Sequence, residues 1–468
     1  MLFTEFRFLV LFVVCFCVYW SLPKNQPRKY WLLLCSCVFY GVWSLNFLGL
    51  MFCSITFDYV MGRLLEHEKD ARRRKLWLVF SIIANLGLLG VFKYADWFIA
   101  SANEFAKSLG VPIDWQLLKL VLPPGISFYT FQSMSYTIDV YRGHLKAERS
   151  YLNFALYVAF FPQLVAGPIV RAIDFLHQLE EKRWWQSVAV RSCLTLILVG
   201  YFKKAVVADN VSVISDQVFE NPAAFDTLSI WIGLCMYHVR IYCDFSGYSD
   251  IAIGTAGLLG YQLTNNFAFP FFSPSIGEFW RRWHQSLGTW LKDYLYVPLG
   301  GSFGSWGQTI RNIWITMVLC GLWHGAGWQY ISFGILHAFY VTSNRIWKHN
   351  VTPESALGRV MKYASVPVTT YFLFIGWPIF GSHGVEQTKE MYEIFFFLAP
   401  GGTESVSSWW LAVFALLALV HYMAFRKVVS PWVARLPNWV YALGYGVAFA
   451  FVLLWVARGY KAFIYFVF

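Results

Sequence analysis

Long apolar blocks separated by short, often basic, loops recur along the whole chain, and crossing a hydrocarbon core takes about 20 mostly apolar residues. By that template the pattern predicts an all-α polytopic membrane protein with roughly 11 to 13 transmembrane or re-entrant helices. The first block, near 6–22, carries one flanking Arg7 and no small-residue cleavage site, so it predicts an uncleaved membrane anchor. Lys24, Arg28 and Lys29 form one basic loop, and a second at 63–75 holds Arg63, Lys69, Arg72, Arg73, Arg74 and Lys75. The positive-inside bias places both loops in the cytoplasm. Residues 30–62 then go in and return as two short legs turning near 43–47, which leaves the N-terminus outside. Later apolar blocks fall near 309–323, 325–346, 363–380, 407–425 and 437–457, with a glycine-rich polar loop at 400–408.

Two blocks are too broken for plain spanning helices: Leu-Pro-Pro-Gly at 122–125 interrupts one and Phe-Pro-Gln-Leu-Val-Ala-Gly-Pro at 161–168 another. Irregular backbone survives at membrane depth only where protein covers it or it lines a wet cavity, so a cavity is expected. In the basic, aromatic stretch 266–311, Trp280, Trp283, His284, Leu287, Trp290, Leu291 and Tyr294 follow helical spacing. Arg281, Arg282, Gln285, Ser286, Thr289, Lys292 and Asp293 fall opposite them, which predicts one amphipathic helix lying in the interface or capping a cavity mouth.

Composition removes the soluble alternatives. Of 468 residues, 58% are hydrophobic and 13% charged, against about 25% charge in a soluble domain; mean hydropathy is +0.49. Aromatics at 20%, with 23 Trp, suit a body with two lipid interfaces. The net charge of +11 resides in loops between apolar blocks, so it marks topology, and no nucleic-acid partner is expected. Nine cysteines, an odd number, all lie in or beside apolar blocks, which argues against a disulfide framework. The two Cys-x-Cys pairs would point about 200° apart on a helix, so neither is a metal clip, and no metal site is expected.

Ionisable groups inside apolar blocks cost several kcal/mol and are functional candidates by default. His324 leads them, in Val-Leu-Cys-Gly-Leu-Trp-His-Gly-Ala-Gly-Trp (318–328), with no charged residue within twelve positions on either side. Burial disfavours the cation, so its ring is expected to be neutral and able to accept a proton as a general base. Gly321, Gly325 and Gly327 leave room for another chain or a ligand. The same residues also fit a core histidine bonded to a carbonyl, with Gly321 and Gly325 as a small-residue helix contact. His284, forty residues earlier, reads by itself as an interfacial histidine and gains interest as a partner for His324. Asp244 and Asp250 could bind an ion, but an internal pair with Arg240 or helix capping is the simpler reading. Gly254, Gly257 and Gly260 fit close helix packing. An intrinsic Ser-His-Asp hydrolase is not expected.

At these residues the sequence resembles the membrane-bound O-acyltransferase family, and within it the type that O-acetylates alginate. The resemblance runs through 125–143 (GISFYTFQSMSYTIDVYRG), 161–171 (FPQLVAGPIVR), 242–252 (YCDFSGYSDIA), 278–284 (EFWRRWH), 290–301 (WLKDYLYVPLGG), 322–326 (LWHGA) and the terminal 463–466 (FIYF). It implies one integral-membrane domain over 1–468, with N-terminal helices at 1–120, a catalytic core at 121–346 around a central tunnel, and C-terminal helices at 347–468. It implies that His324 is the catalytic histidine and His284 the second polar position. Acetyl-CoA would enter from the cytoplasm as a substrate, with no permanently bound cofactor. The acceptor would be a polysaccharide exported across a bacterial inner membrane, reached through a periplasmic or membrane-anchored acetyl-transfer protein. Arg281, Arg282 and Lys292 are then candidates for the CoA phosphates, or equally for lipid headgroups. D-alanyl or other acyl transfer to teichoic acid or peptidoglycan is the rival inside the family. A transporter or a non-catalytic scaffold is the rival outside it.

Overall fold

Where glycine and proline leave them intact, the apolar blocks become helices. The computed structural model describes residues 1–165, 167–352, 354–382 and 384–456, so the terminal block 463–466 lies outside the described residues. In chain order the helices begin with α1 (Phe6–Ser21), α2 (Asn25–Gly41), α3 (Leu45–His67), α4 (Ala71–Ser108), α5 (Ile126–Arg142), α6 (Tyr151–Ala159), the single turn α7 (Phe161–Leu164) and α8 (Ala172–Glu180). They continue with α9 (Val190–Tyr201), α10 (Asp209–Glu220), α11 (Thr227–Leu258), α12 (Ile276–Arg282), α13 (Gln285–Leu291), α14 (Trp306–His324) and α15 (Trp328–Asn350). The last are α16 (Ala356–Gly381), α17 (Val385–Phe395), α18 (Trp410–Phe425), α19 (Ser430–Arg435) and α20 (Asn438–Leu454). Among the described residues there is no strand, only an isolated bridge between Phe225 and Glu404. The all-α expectation holds. By length and composition α3, α4 and α16 can each cross a bilayer, and α1, α18 and α20 are shorter apolar helices.

The chain divides into two units, Met1–Leu194 with Ile251–Thr264, and Thr195–Asp250 with the described residues from Asn265 onward. In the first unit, the turn expected near 43–47 falls at 42–44, between α2 and α3. The basic stretch 63–75 is a loop only at 68–70, because α3 extends through His67 and Asp70 already caps α4 by accepting from Arg73 N–H (2.8 Å). Arg28 and Lys29 are not loop residues either. Both are buried in the first turn of α2, where Arg28 donates to the Leu22 (2.7 Å) and Arg183 (2.8 Å) carbonyls and Lys29 to Asn153 Oδ1 (2.8 Å).

The Pro-Pro-Gly break has a steric explanation. Gly125 adopts φ +75°, and a β-carbon there would stand 2.5 Å from the Leu164 carbonyl oxygen, so only glycine lets α5 start against the α7 turn. Tyr157 Oη lies within reach of the carbonyls of Gln132 (3.2 Å) and Val170 (3.0 Å), which share its one proton, and Val170 belongs to the irregular backbone between α7 and α8. Asp58, in mid-α3, accepts from Asn85 Nδ2 (2.8 Å) and Ser81 Oγ (3.3 Å) on α4, as a carboxyl inside an apolar helix requires.

In the second unit, α14 and α15 pack at backbone distance. A β-carbon on Gly321 would lie 2.2 Å from Tyr330 O and 2.9 Å from Gly334 N, and one on Gly334 would lie 2.6 Å from Met317 O. A β-carbon on Gly325 would lie 2.1 Å from the Tyr330 ring. The space that these glycines open beside His324 is therefore filled by the protein's own backbone and Tyr330. In the first unit, Gly257 near the end of α11 does serve close packing, against Cys193 Sγ, whereas Gly260 lies just beyond the helix with φ +85°.

The acidic pair on α11 finds different partners from those expected. Lys203 binds Asp250 (2.7 Å), and buried Lys204 lies between Asp209 (2.7 Å) and Asp244 (2.8 Å), while Arg240 pairs with Asp216. Both lysines sit in a π-helical stretch, Phe202–Ala208. Their position between two apolar stretches gives no periodic signal, so the sequence does not mark them as partners.

Candidate active site

His284 owes its position to a break that the amphipathic pattern does not reveal. The predicted continuous helix over 280–294 is instead α12, a turn at Trp283 and His284, then α13, followed by a π-helical turn at Lys292–Tyr296. His284 is the N-cap of α13 in the left-handed region, with φ +43° and ψ +56°. A non-glycine residue held there costs about 1–3 kcal/mol, which surrounding contacts must offset. Two backbone bonds do so by tying the turn to residues 266–268: Ala268 N–H donates to Arg282 O (3.0 Å), and Gln285 N–H to Asn266 O (2.9 Å). The break also moves Ser286 from the expected polar face into the interior.

The turn directs His284 inward, where it is 1% exposed. Its ring meets Phe245 of α11 edge-on at 4.6 Å between centroids and Trp323 of α14 at 5.6 Å. Trp323 in turn lies 5.2 Å from His324, the last residue of α14, itself 4% exposed. The rings of both histidines thus contact one indole, that of Trp323. Phe380 of α16 (5.4 Å) and Phe333 of α15 (6.4 Å) complete the aromatic surround of His324. Five helices contribute to this centre.

The predicted phosphate-binding residues are placed differently. Arg281 and Arg282 converge on Glu278, at 2.5 Å and 3.0 Å. Arg282, then Arg281, hold that carboxyl below the usual carboxylate range. Arg281 remains mostly exposed, and Lys292 is exposed beyond the far end of α13. Arg281 and Arg282 thus form one cationic group with Glu278, and a short helix separates them from Lys292.

Sequence reasoning passed over further histidines that meet its own criterion of an ionisable group in an apolar block, His238, His337 and His421 among them. His337 Nδ1 accepts from Trp280 Nε1 (3.2 Å) and His238 Nδ1 from Trp377 Nε1 (2.8 Å). A neutral ring accepting at Nδ1 carries its proton on Nε2, so each indole selects a tautomer. Phe333 packs between His324 and His337, 4.3 Å from the latter. The string Gly-Gly-Ser-Phe-Gly at 300–304 has the spacing of a nucleophile elbow. Ser302 is nevertheless exposed, follows a π-helical turn instead of a strand, and is engaged by Tyr296 Oη (2.7 Å) and Arg345 Nη1 (3.3 Å). It lacks the strand-to-helix setting that such a nucleophile needs.

Similarity to known proteins covers this centre. Residues 142–382 match the membrane-bound O-acyltransferase family. A protein of Pseudomonas aeruginosa described as "Probable alginate O-acetylase AlgI" is 40% identical over 400 residues, covering 85% of this chain and 75% of that protein. Its namesake from Azotobacter vinelandii is 38% identical over 399 residues, covering 85% and 78%. A peptidoglycan O-acetyltransferase of Helicobacter pylori is 32% identical over 392 residues, covering 78% and 72%. With the all-α fold, the apolar helices and a matched region that spans both buried histidines, the chain belongs to the membrane-bound O-acyltransferase family and is an O-acyltransferase of a membrane.

Proposed function

We propose that this protein, in a bacterial inner membrane, takes acetyl groups from cytoplasmic acetyl-CoA for O-acetylation of an exported polysaccharide such as alginate, with a periplasmic acetyl-transfer protein as intermediary. The observation that carries the reading is the pair of buried histidines that both contact Trp323, within a region 40% identical to a protein described as a probable alginate O-acetylase. In this reading a tunnel brings donor and acceptor to His324 from opposite sides. Neutral His324 accepts the proton of the acceptor hydroxyl while its oxygen bonds to the thioester carbonyl carbon. Collapse of that adduct breaks the carbon–sulfur bond, and the CoA sulfur leaves and takes up a proton. His284 orients a reactant or polarises the carbonyl. Peptidoglycan as acceptor is the second reading, supported by the Helicobacter relative.

Membrane vesicles enriched in the protein and given acetyl-CoA labelled in its acetyl group are expected to release CoA and to place label on a protein intermediate or an envelope polymer. Which polymer takes the label separates the two acceptors, and label remaining on CoA overturns the donor. For the phosphate contacts, the double variant Arg281→Glu/Arg282→Glu is expected to weaken acetyl-CoA binding in detergent. The expected loss is at least about ten-fold, since one charge-assisted contact contributes ~1.5–3 kcal/mol. Unchanged affinity would return both side chains to the lipid interface.

A further inference from the structure

We infer that Asn266 is a positioning residue, and that its side chain sets where the His284 ring stands; the inference rests on the proposed role of His284. Asn266 is 1% exposed and reaches two elements at once. Its Nδ2 donates to Ser249 Oγ on α11 (3.0 Å), and its Oδ1 accepts from Ser286 Oγ on α13 (2.6 Å). Its own carbonyl accepts from Gln285 N–H, the residue after His284. Ser249 lies one turn beyond Phe245, so both face the same side of α11, and Phe245 is the ring against which His284 packs. One amide therefore holds the wall and the support of the imidazole at a fixed separation.

Three further observations support a positioning role over simple filling. The held residue is a non-glycine residue in the left-handed region, which needs its neighbours to keep it there. The amide uses one donor and its acceptor on different helices, an arrangement that an apolar residue of the same volume cannot copy. The serines it joins, Ser249 at 1% and Ser286 at 9% exposure, are shielded from water that could replace the bonds.

The test uses the full-length protein in detergent or nanodiscs, with acetyl-CoA as donor and release of CoA as readout. Asn266→Ala and Ser286→Ala are expected to lower kcat about 10- to 100-fold, the scale of a displacement of the order of 1 Å at a reacting centre. KM for acetyl-CoA should stay within about three-fold, since the proposed phosphate contacts lie elsewhere. Ser286→Thr, which keeps the hydroxyl, should retain most of the rate. If Asn266→Ala fails to accumulate, Ser286→Ala and Ser249→Ala each remove one of the two bonds made by the Asn266 side chain and leave Asn266 in place. Variants with wild-type kcat, or with kcat and KM failing together with thermal stability, overturn the inference. His284→Ala run in parallel separates the two claims: wild-type activity there removes the role of His284 itself. An inactive His284→Ala beside fully active Asn266 and Ser286 variants removes only the positioning role.

Discussion

Cells whose only copy carries His324→Ala are expected to keep normal amounts of folded membrane protein and to lose the O-acetyl groups from their envelope polymer. Removing a general base costs about 10²- to 10⁴-fold in rate, enough to erase modification over a cell cycle. The fold should tolerate the change. His324 ends α14, where its ring packs against Trp323, Phe333 and Phe380. A large-to-small change at a buried site costs about 2–5 kcal/mol at most, and the backbone contact of α14 with α15 does not involve the imidazole. The measurements are the polymer's acetyl content and the protein's abundance and gel-filtration profile in detergent. Wild-type acetylation sinks the proposed base; protein that is absent or aggregated would instead make His324 a structural residue.

The second large effect concerns glycine, not chemistry. Gly321→Ala is expected to destabilise the protein strongly, because its added carbon meets backbone atoms of Tyr330 and Gly334 at 2.2 to 3.0 Å, and backbone cannot rotate aside. The helices must separate, and overpacking of that kind costs about 1–3 kcal/mol or more. His324 lies one turn further along the same face, so activity should fall with stability. Gly307→Ala is the internal control: on the same helix, its β-carbon would meet nothing within 4 Å. That substitution should be neutral or stabilise by up to about 1 kcal/mol, the difference in helix propensity. Thermal unfolding of both variants in one detergent decides the matter, and equal melting temperatures refute backbone-distance packing of α14 on α15.

Part of the site was legible because its signal is local. His324 stands alone among apolar residues, and desolvation makes any such imidazole conspicuous without knowledge of its neighbours. The blocks around it carry the family resemblance, and the helix ends at 41, 324 and 381 fall close to where glycine or a break in the apolar run predicts them. His284 was legible as a residue but not as a geometry. Helical spacing of Trp280, Trp283, Leu287 and Trp290 runs unbroken through the sequence although the backbone leaves the helix at Trp283 and His284. A periodicity count averages over those two residues.

By itself, the sequence determined that this is a helical membrane protein, where its backbone is broken, and which imidazole is most isolated from charge. Those properties follow from transfer free energies and torsional limits that each short segment carries alone. Only the tertiary structure decided that the His284 ring meets Trp323, that Lys203 and Lys204 answer Asp250 and Asp244, and that Asn266 joins α11 to α13. These pairings link residues 17 to 47 positions apart. Buried polar groups must find partners, but which partner comes within hydrogen-bond reach depends on how the helices cross, and no segment contains that information.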